Sequence, residues 1–156
     1  MNEYDFDLVI VGAGPAGSSA AFAASSEGVS VALLEKEEAV AETVRTSGVT
    51  WIEDAKEFGI PEAYYNPISN YSFCSPTKSV TISDEKPKAV VLDVRKTYRH
   101  LAEEAQNSGT KLFVNTNVIE VLTDNNKPVG VIAKTLEKKI KFNAKMVIDC
   151  SGFQSV

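Results

Sequence analysis

The chain has 156 residues, of which 44% are hydrophobic and 24% charged, enough apolar surface for the core of one globular domain and too much for a disordered chain. Sixteen Lys and Arg against twenty-one Asp and Glu leave a formal net charge of −5, which opposes sequence-independent affinity for nucleic acid. The two cysteines, Cys74 and Cys150, stand far apart with neither a CxxC nor a nearby histidine, which argues against a metal cluster and fits a reducing, cytoplasmic setting.

In chain order, the opening MNEYDFD carries acids where a secretion signal would carry lysines, and no apolar run is long enough to cross a membrane. Leu8 to Val11 is a short, almost continuous apolar run bounded by acids and glycines, as in a strand buried on both faces. Pro15 suits a first helical turn, and Ala16, Ala20, Ala23 and Ala24 put small residues on one side before Gly28 stops the helix. Val29 to Leu34 predicts a second strand ending in the charged pair Glu35-Lys36, which completes one βαβ unit.

Glu37 to Thr50 is polar and turn-forming, and Trp51 to Phe58 predicts a short helix that Trp51 anchors. Tyr64 to Ser69 reads as irregular. Tyr71–Cys74, Val80–Ile82 and Ala89–Leu92 read as strands of a small antiparallel layer. A helix follows from about Arg95 to Ser108, then a strand at Lys111–Val114 returns to the parallel sheet. Val118–Leu122, Val129–Ala133 and Lys139–Phe142, with a turn at Glu137-Lys138 between the last two, predict a three-stranded antiparallel meander. A separate final strand runs from Met146 to Asp149. The fold class is therefore α/β, a parallel sheet with an antiparallel three-stranded meander.

Gly12-Ala13-Gly14-Pro15-Ala16-Gly17 is a GxGxxG set between a predicted strand and a predicted helix, the context that turns a weak pattern into a stronger sign of a dinucleotide site, against the alternative that the glycines merely shape the turn. Gly12 suits the tight turn, Gly14 allows backbone to approach a pyrophosphate, and Gly17 allows close helix–strand packing. Glu35 lies near the roughly 20-residue spacing at which an acid accepts hydrogen bonds from an adenosine ribose, a position that disfavours a 2′-phosphate.

DLVIVGAGPAGSSAA, with LLEK and the terminal VIDCSG, resembles the FAD-binding half of flavoproteins built like p-hydroxybenzoate hydroxylase, and most of all the geranylgeranyl reductase group. The resemblance spans nearly the whole chain, strongest at residues 7–36 and weakest between 50 and 88. It implies a Rossmann-like FAD-binding sheet with a cofactor set of Gly12, Gly14, Ala16, Gly17, Glu35, Lys36, Arg45, Gly48, Arg95, Val118 and Gly152. Arg45 and Gly48 match a stretch beside the flavin, Arg95 matches an arginine that opens a long helix, and Val118 corresponds to backbone that holds the adenine edge. Near the end the family commonly has Asp-Gly and then a serine, where this chain has Ser151-Gly152 and Ser155, and IDCSGF is also similar to the flavin-dependent halogenases.

The resemblance further implies FAD as cofactor, NAD(P)H as a candidate electron donor, and a small-molecule or lipid-like substrate held by a further domain, with peripheral membrane contact open. Residues 1–156 are expected to be the N-terminal part of an FAD-binding domain, lacking the family's later Gly-Asp motif and not active alone. The alternatives are an FAD-dependent monooxygenase or halogenase, an inactive nucleotide-binding fragment, or an NAD-binding domain. No catalytic residue is named. His100 reads as a surface histidine and Cys74 and Cys150 as small packing residues, while Tyr64, Tyr65, Tyr71 and Phe73 fit either a prenyl cavity or local core. Lys134, Lys138, Lys139 and Lys141 read as a solvated basic hairpin.

Overall fold

The computed structural model describes residues 2–136 and 138–153, so Glu137 of the expected turn and Ser155 lie outside the described residues. In chain order the elements are β1 (Asn2–Val11), α1 (Pro15–Ser26), β2 (Val31–Leu34), β3 (Val49–Trp51), α2 (Ile52–Glu57), a 3₁₀ turn (Glu62–Tyr64) and β4 (Tyr65–Ile68). There follow β5 (Asn70–Cys74), β6 (Ser79–Ser83), β7 (Ala89–Leu92), α3 (Val94–Asn107), β8 (Lys111–Phe113), β9 (Asn117–Asp124), β10 (Lys127–Lys134) and β11 (Lys139–Asp149). They form two compact units, one of residues up to Thr43 and from Tyr98 on, the other Val44–Thr97.

The first unit holds a six-stranded sheet in the order β8-β2-β1-β11-β10-β9. β8, β2, β1 and β11 run parallel, and β10 and β9 continue as the antiparallel meander. Leu8 to Val11 and Val31 to Leu34 are buried throughout, as strands covered on both faces must be. One face packs Leu8, Ile10, Val31 and Leu33 with Ala21 of α1, Val40, and Ala102 and Ala105 of α3. The opposite face packs Val9, Val11, Ala32 and Leu34 with Val118, Val131, Ala133, Ile140 and Phe142, so the parallel half of the sheet and the meander share one core.

The strands expected separately at Lys139–Phe142 and Met146–Asp149 are one strand, β11, which pairs antiparallel with β10 and parallel with β1. β1 begins at Asn2 rather than Leu8 for the same reason. The polar residues that look like breaks face one another across the pair: Asn143 Nδ2 donates to Glu3 Oε1 (2.7 Å) and Asp5 Oδ1 (2.9 Å), and Lys145 Nζ meets Asp7 Oδ1 at 2.7 Å. On the other face Tyr4 and Phe6 pack with Phe113 and Phe142 at ring separations of 5.5 to 6.4 Å.

The second unit carries a three-stranded antiparallel sheet in the order β3-β7-β4 and a separate β5–β6 hairpin. β7 therefore pairs with segments read as polar loop and irregular chain, not with the hairpin. Tyr65 is buried, but Trp51 is 57% exposed and caps α2 from outside rather than anchoring it. Phe73 is likewise exposed, at 66%, and does not pack as local core.

Candidate functional site

β1 ends at Val11, whose carbonyl accepts the Cys150 N–H at 2.8 Å, and the chain turns at Gly12, whose N–H donates to the Leu34 carbonyl at 2.7 Å. Gly12 has φ +96°, and a Cβ there would lie 2.6 Å from the Cys150 carbonyl oxygen, so both conformation and space demand glycine. A Cβ on Gly17 would lie 1.9 Å from the Gly12 carbonyl oxygen. Gly14 differs: it sits at the α1 N-cap with φ −70°, and a Cβ there would meet no atom within 4 Å. Its glycine is thus not required by the fold, and the space above it is open to a ligand.

α1 opens with Pro15, and Ser18 N–H is the first to bond back, to the Gly14 carbonyl at 2.9 Å. Helix geometry leaves the N–H groups of Ala16 and Gly17 without an intrahelical acceptor, at the positive end of the helix dipole. Buried Ser18 donates its hydroxyl to the Ala13 carbonyl at 3.2 Å and holds the turn from beneath.

At the end of β2, Glu35 is fixed through its backbone and its carboxylate. Its N–H donates to the Phe113 carbonyl (2.8 Å) and its carbonyl accepts the Thr116 N–H (2.8 Å). Its Oε2 accepts the Ala13 N–H (3.0 Å) and its Oε1 the Glu37 N–H (3.0 Å). The acid beyond the second strand is thereby brought directly onto the glycine turn. Lys36 beside it is exposed.

Val118 lies on β9, the edge strand of the six-stranded sheet, with its side chain in the core, so only its main chain is available to a ligand. Gly152 has φ +88° and open space around it, next to a turn in which Asp149 Oδ1 accepts the Ser151 N–H (2.9 Å) and hydroxyl (2.6 Å). Cys150 packs against Gly17, and partial burial together with Asp149 pushes its thiol above the usual range.

Arg45, Gly48 and Arg95 belong to the second unit. Arg45 and Arg95 are exposed. Gly48 is buried with φ +74°, and a Cβ there would lie 2.8 Å from Val94 Cγ2, so local packing already requires this glycine. Arg95 is in the first turn of α3, where Asp93 Oδ1 accepts the Lys96 N–H at 3.1 Å. That N–H, followed by the Lys96 side chain, holds the Asp93 carboxyl below its usual range.

The residues of the first unit that the sequence singled out around the glycine turn thus converge on one place. Ala13, Ser18 and Thr116 were missed; a buried serine one position after a GxGxxG was the available signal for Ser18. Among the described residues no group of three or more His, Cys, Asp or Glu could hold a metal, and no helix is long and apolar enough to cross a membrane.

The sequence model of the family described as FAD dependent oxidoreductase matches residues 7–154. Across 96% of its length the chain is 32% identical to a digeranylgeranylglycerophospholipid reductase of Methanocaldococcus jannaschii, of which it covers 39%. Its fold is similar, at TM-score 0.87 and 26% identity, to a geranylgeranyl bacteriochlorophyll reductase-like protein of Thermoplasma acidophilum, over 97% of this chain and 40% of that one. At TM-score 0.73 and 20% identity it shares a fold with a myxobacterial chondrochloren halogenase, over 94% of this chain and 37% of that one. The chain spans about two fifths of the length of the curated relatives it matches first.

Proposed function

The chain belongs to the FAD-dependent oxidoreductase family, and from that premise we propose that it forms the FAD-holding part of an enzyme that reduces an unsaturated, isoprenoid-like lipid. The observation that carries the cofactor reading is the open space over Gly14, flanked by the α1 N-terminus and by a carboxylate tied to the same turn. A diphosphate fits there because backbone approaches it without a Cβ and the Ala16 and Gly17 N–H groups offer unspent donors.

Gly12 and Gly17 shape the turn, while Gly14 and Ala16 hold the pyrophosphate. Glu35 accepts hydrogen bonds from the adenosine ribose with its remaining lone pairs, and Lys36 flanks the same sugar. The Val118 main chain borders the adenine, and Gly152 leaves room beside the pyrophosphate. Arg45, Gly48 and Arg95 serve the flavin side and the cofactor chain. When bound, FAD supplies hydride chemistry, and the protein supplies binding and orientation. NAD(P)H is the proposed electron donor. Similarity to a digeranylgeranylglycerophospholipid reductase supports a lipid substrate, with a further domain to hold it and peripheral contact with a membrane to reach it. Cys74 and Cys150 are free thiols, which fits the cytoplasm. The likeness to the halogenase rests on fold alone and supports no second reading.

Titration of FAD into the 156-residue chain, followed by flavin fluorescence and by absorbance after desalting, tests this reading. Saturable quenching that Gly14→Val abolishes is expected. Equal FAD binding by wild type and Gly14→Val would overturn the assignment of the turn.

A further inference from the structure

We propose that Arg99 is a positioning residue for Glu35, holding the turn that aims its carboxylate and thereby setting how the site reads a ribose hydroxyl; this rests on the dinucleotide reading above. The segment that follows Glu35 is tied to α3 at Val40. Val40 is buried against Ala102 and Ala105 of α3. From the same helix Arg99 donates its Nε–H to the Val40 carbonyl at 3.1 Å, and its Nη2 lies 3.8 Å from Glu42 Oε2. Between these two contacts Ala41 adopts φ +57°, a left-handed conformation that a residue with a Cβ keeps only where its surroundings impose it.

The near end of the same segment carries the bonds that hold the carboxylate. The Glu37 carbonyl accepts the Asn115 N–H at 2.9 Å, and the Glu37 N–H donates to Glu35 Oε1 at 3.0 Å. With Oε1 held by Glu37, Oε2 is held on the Ala13 N–H at 3.0 Å. Releasing the Val40 carbonyl leaves residues 38–41 held by the buried Val40 side chain and, at the Glu37 end, by the Asn115 N–H, so the Glu37 N–H on Oε1 is the carboxylate's bond nearest the loosened segment. Arg suits the role because its planar fork can serve a carbonyl and a carboxylate together, which a Lys ammonium does less rigidly. The pair with Glu42 is secondary, since both side chains are about half exposed and the separation is long.

The experiment compares wild type, Arg99→Met, Arg99→Lys and Glu42→Gln by two measurements. The first is amide hydrogen exchange of the unliganded chain. Arg99→Met should raise exchange at Glu37 and Ala13 about ten-fold, the equivalent of one charge-assisted hydrogen bond, with no change in β1 or β2. Arg99→Lys should recover part of this, and Glu42→Gln should exchange as wild type. The second is the ratio of affinities for ADP and 2′-deoxy-ADP, which a merely structural tie would leave alone. Wild type should prefer ADP about ten-fold through Glu35, and Arg99→Met should bind the two alike.

Unchanged exchange at Glu37 and Ala13 would overturn the proposal, as would faster exchange with the ADP preference intact. If Arg99→Met does not fold, Arg99→Lys carries the comparison, with smaller changes in the same directions. Failure of wild type to bind ADP would overturn the dinucleotide reading, and the exchange result would still decide whether Arg99 holds Glu35.

Discussion

Glu35 Oε2 accepts the Ala13 N–H at 3.0 Å, so the carboxylate proposed to serve a ribose also fastens the end of β2 to the glycine turn. The proposed ribose contact would therefore couple structure and ligand binding in one side chain. Glu35→Ala should lose about 1–3 kcal/mol of stability by leaving the Ala13 and Glu37 N–H groups without their acceptor. It should also weaken FAD binding by at least ten-fold. Glu35→Gln keeps one acceptor oxygen and should fall between the two in urea denaturation and in FAD titration.

Gly14 and Gly17 separate the two demands. A Cβ on Gly17 would stand 1.9 Å from the Gly12 carbonyl oxygen, which neither backbone can yield. Gly17→Ala should therefore cost about 3 kcal/mol or more, seen as a large fall in the unfolding midpoint. Gly14→Ala meets nothing and has an ordinary φ, so it should melt within a few degrees of wild type. Its methyl points into the space assigned to the pyrophosphate, and FAD affinity should fall without loss of fold.

Burial and the neighbouring Asp149 carboxylate keep the Cys150 thiol protonated above its usual range. Iodoacetamide at pH 8 should alkylate exposed Cys74 at least ten-fold faster than Cys150, read by mass spectrometry of the two peptides. A folded-state value above the unfolded one adds stability that is complete below about pH 8.5 and is lost as pH rises through the folded value. Cys150→Ser should flatten the decline in melting temperature above that range.

The first strand, the glycine turn, α1 and Glu35 were legible because each is a local pattern: a short apolar run, three glycines and an acid at fixed spacing. Long-range pairing hid other features. Glu3, Asp5 and Asp7 look like a polar leader until Lys141, Asn143 and Lys145 are set opposite them along β11. Val49–Trp51 and Tyr65–Ile68 become strands only by pairing with β7, and neither has the alternation that would announce it. Arg99 looks like an ordinary charge on an amphipathic helix, because its partner is a backbone carbonyl far away in sequence.

The acidic ends of β1 carry a further expectation. Lys141 and then Asn143 hold the Glu3 carboxyl below its usual range by hydrogen bonding, and Lys145 does the same for Asp7 with help from the Ser30 N–H. Depressed carboxyl values add stability that is present above the unfolded range, near pH 4, and is lost as pH falls through the folded values. These groups are on the surface, so the effect is screened by salt. Lys141→Gln with Lys145→Gln should move the acid-unfolding midpoint to higher pH in low salt, and 0.5 M NaCl, about a 4 Å screening length, should shrink the difference.

The β5–β6 hairpin is two-faced: Tyr71 opposes Ile82 and Phe73 opposes Val80 on one side, while Ser72 opposes Thr81 and Cys74 opposes Ser79 on the other. Phe73 and Val80 are 66% and 62% exposed, so the apolar pairs face solvent within this unit. Such a face favours self-association. Substituting Phe73→Ser and Val80→Thr should lower binding of a hydrophobic dye and shift sedimentation toward the monomer at high concentration. The substitutions remove one cross-strand pair, worth about 0.2–1 kcal/mol, so the melting temperature should move by no more than a few degrees. A large fall in melting temperature would mean that these side chains serve the unit's own core, and unchanged association would mean that another apolar surface drives it.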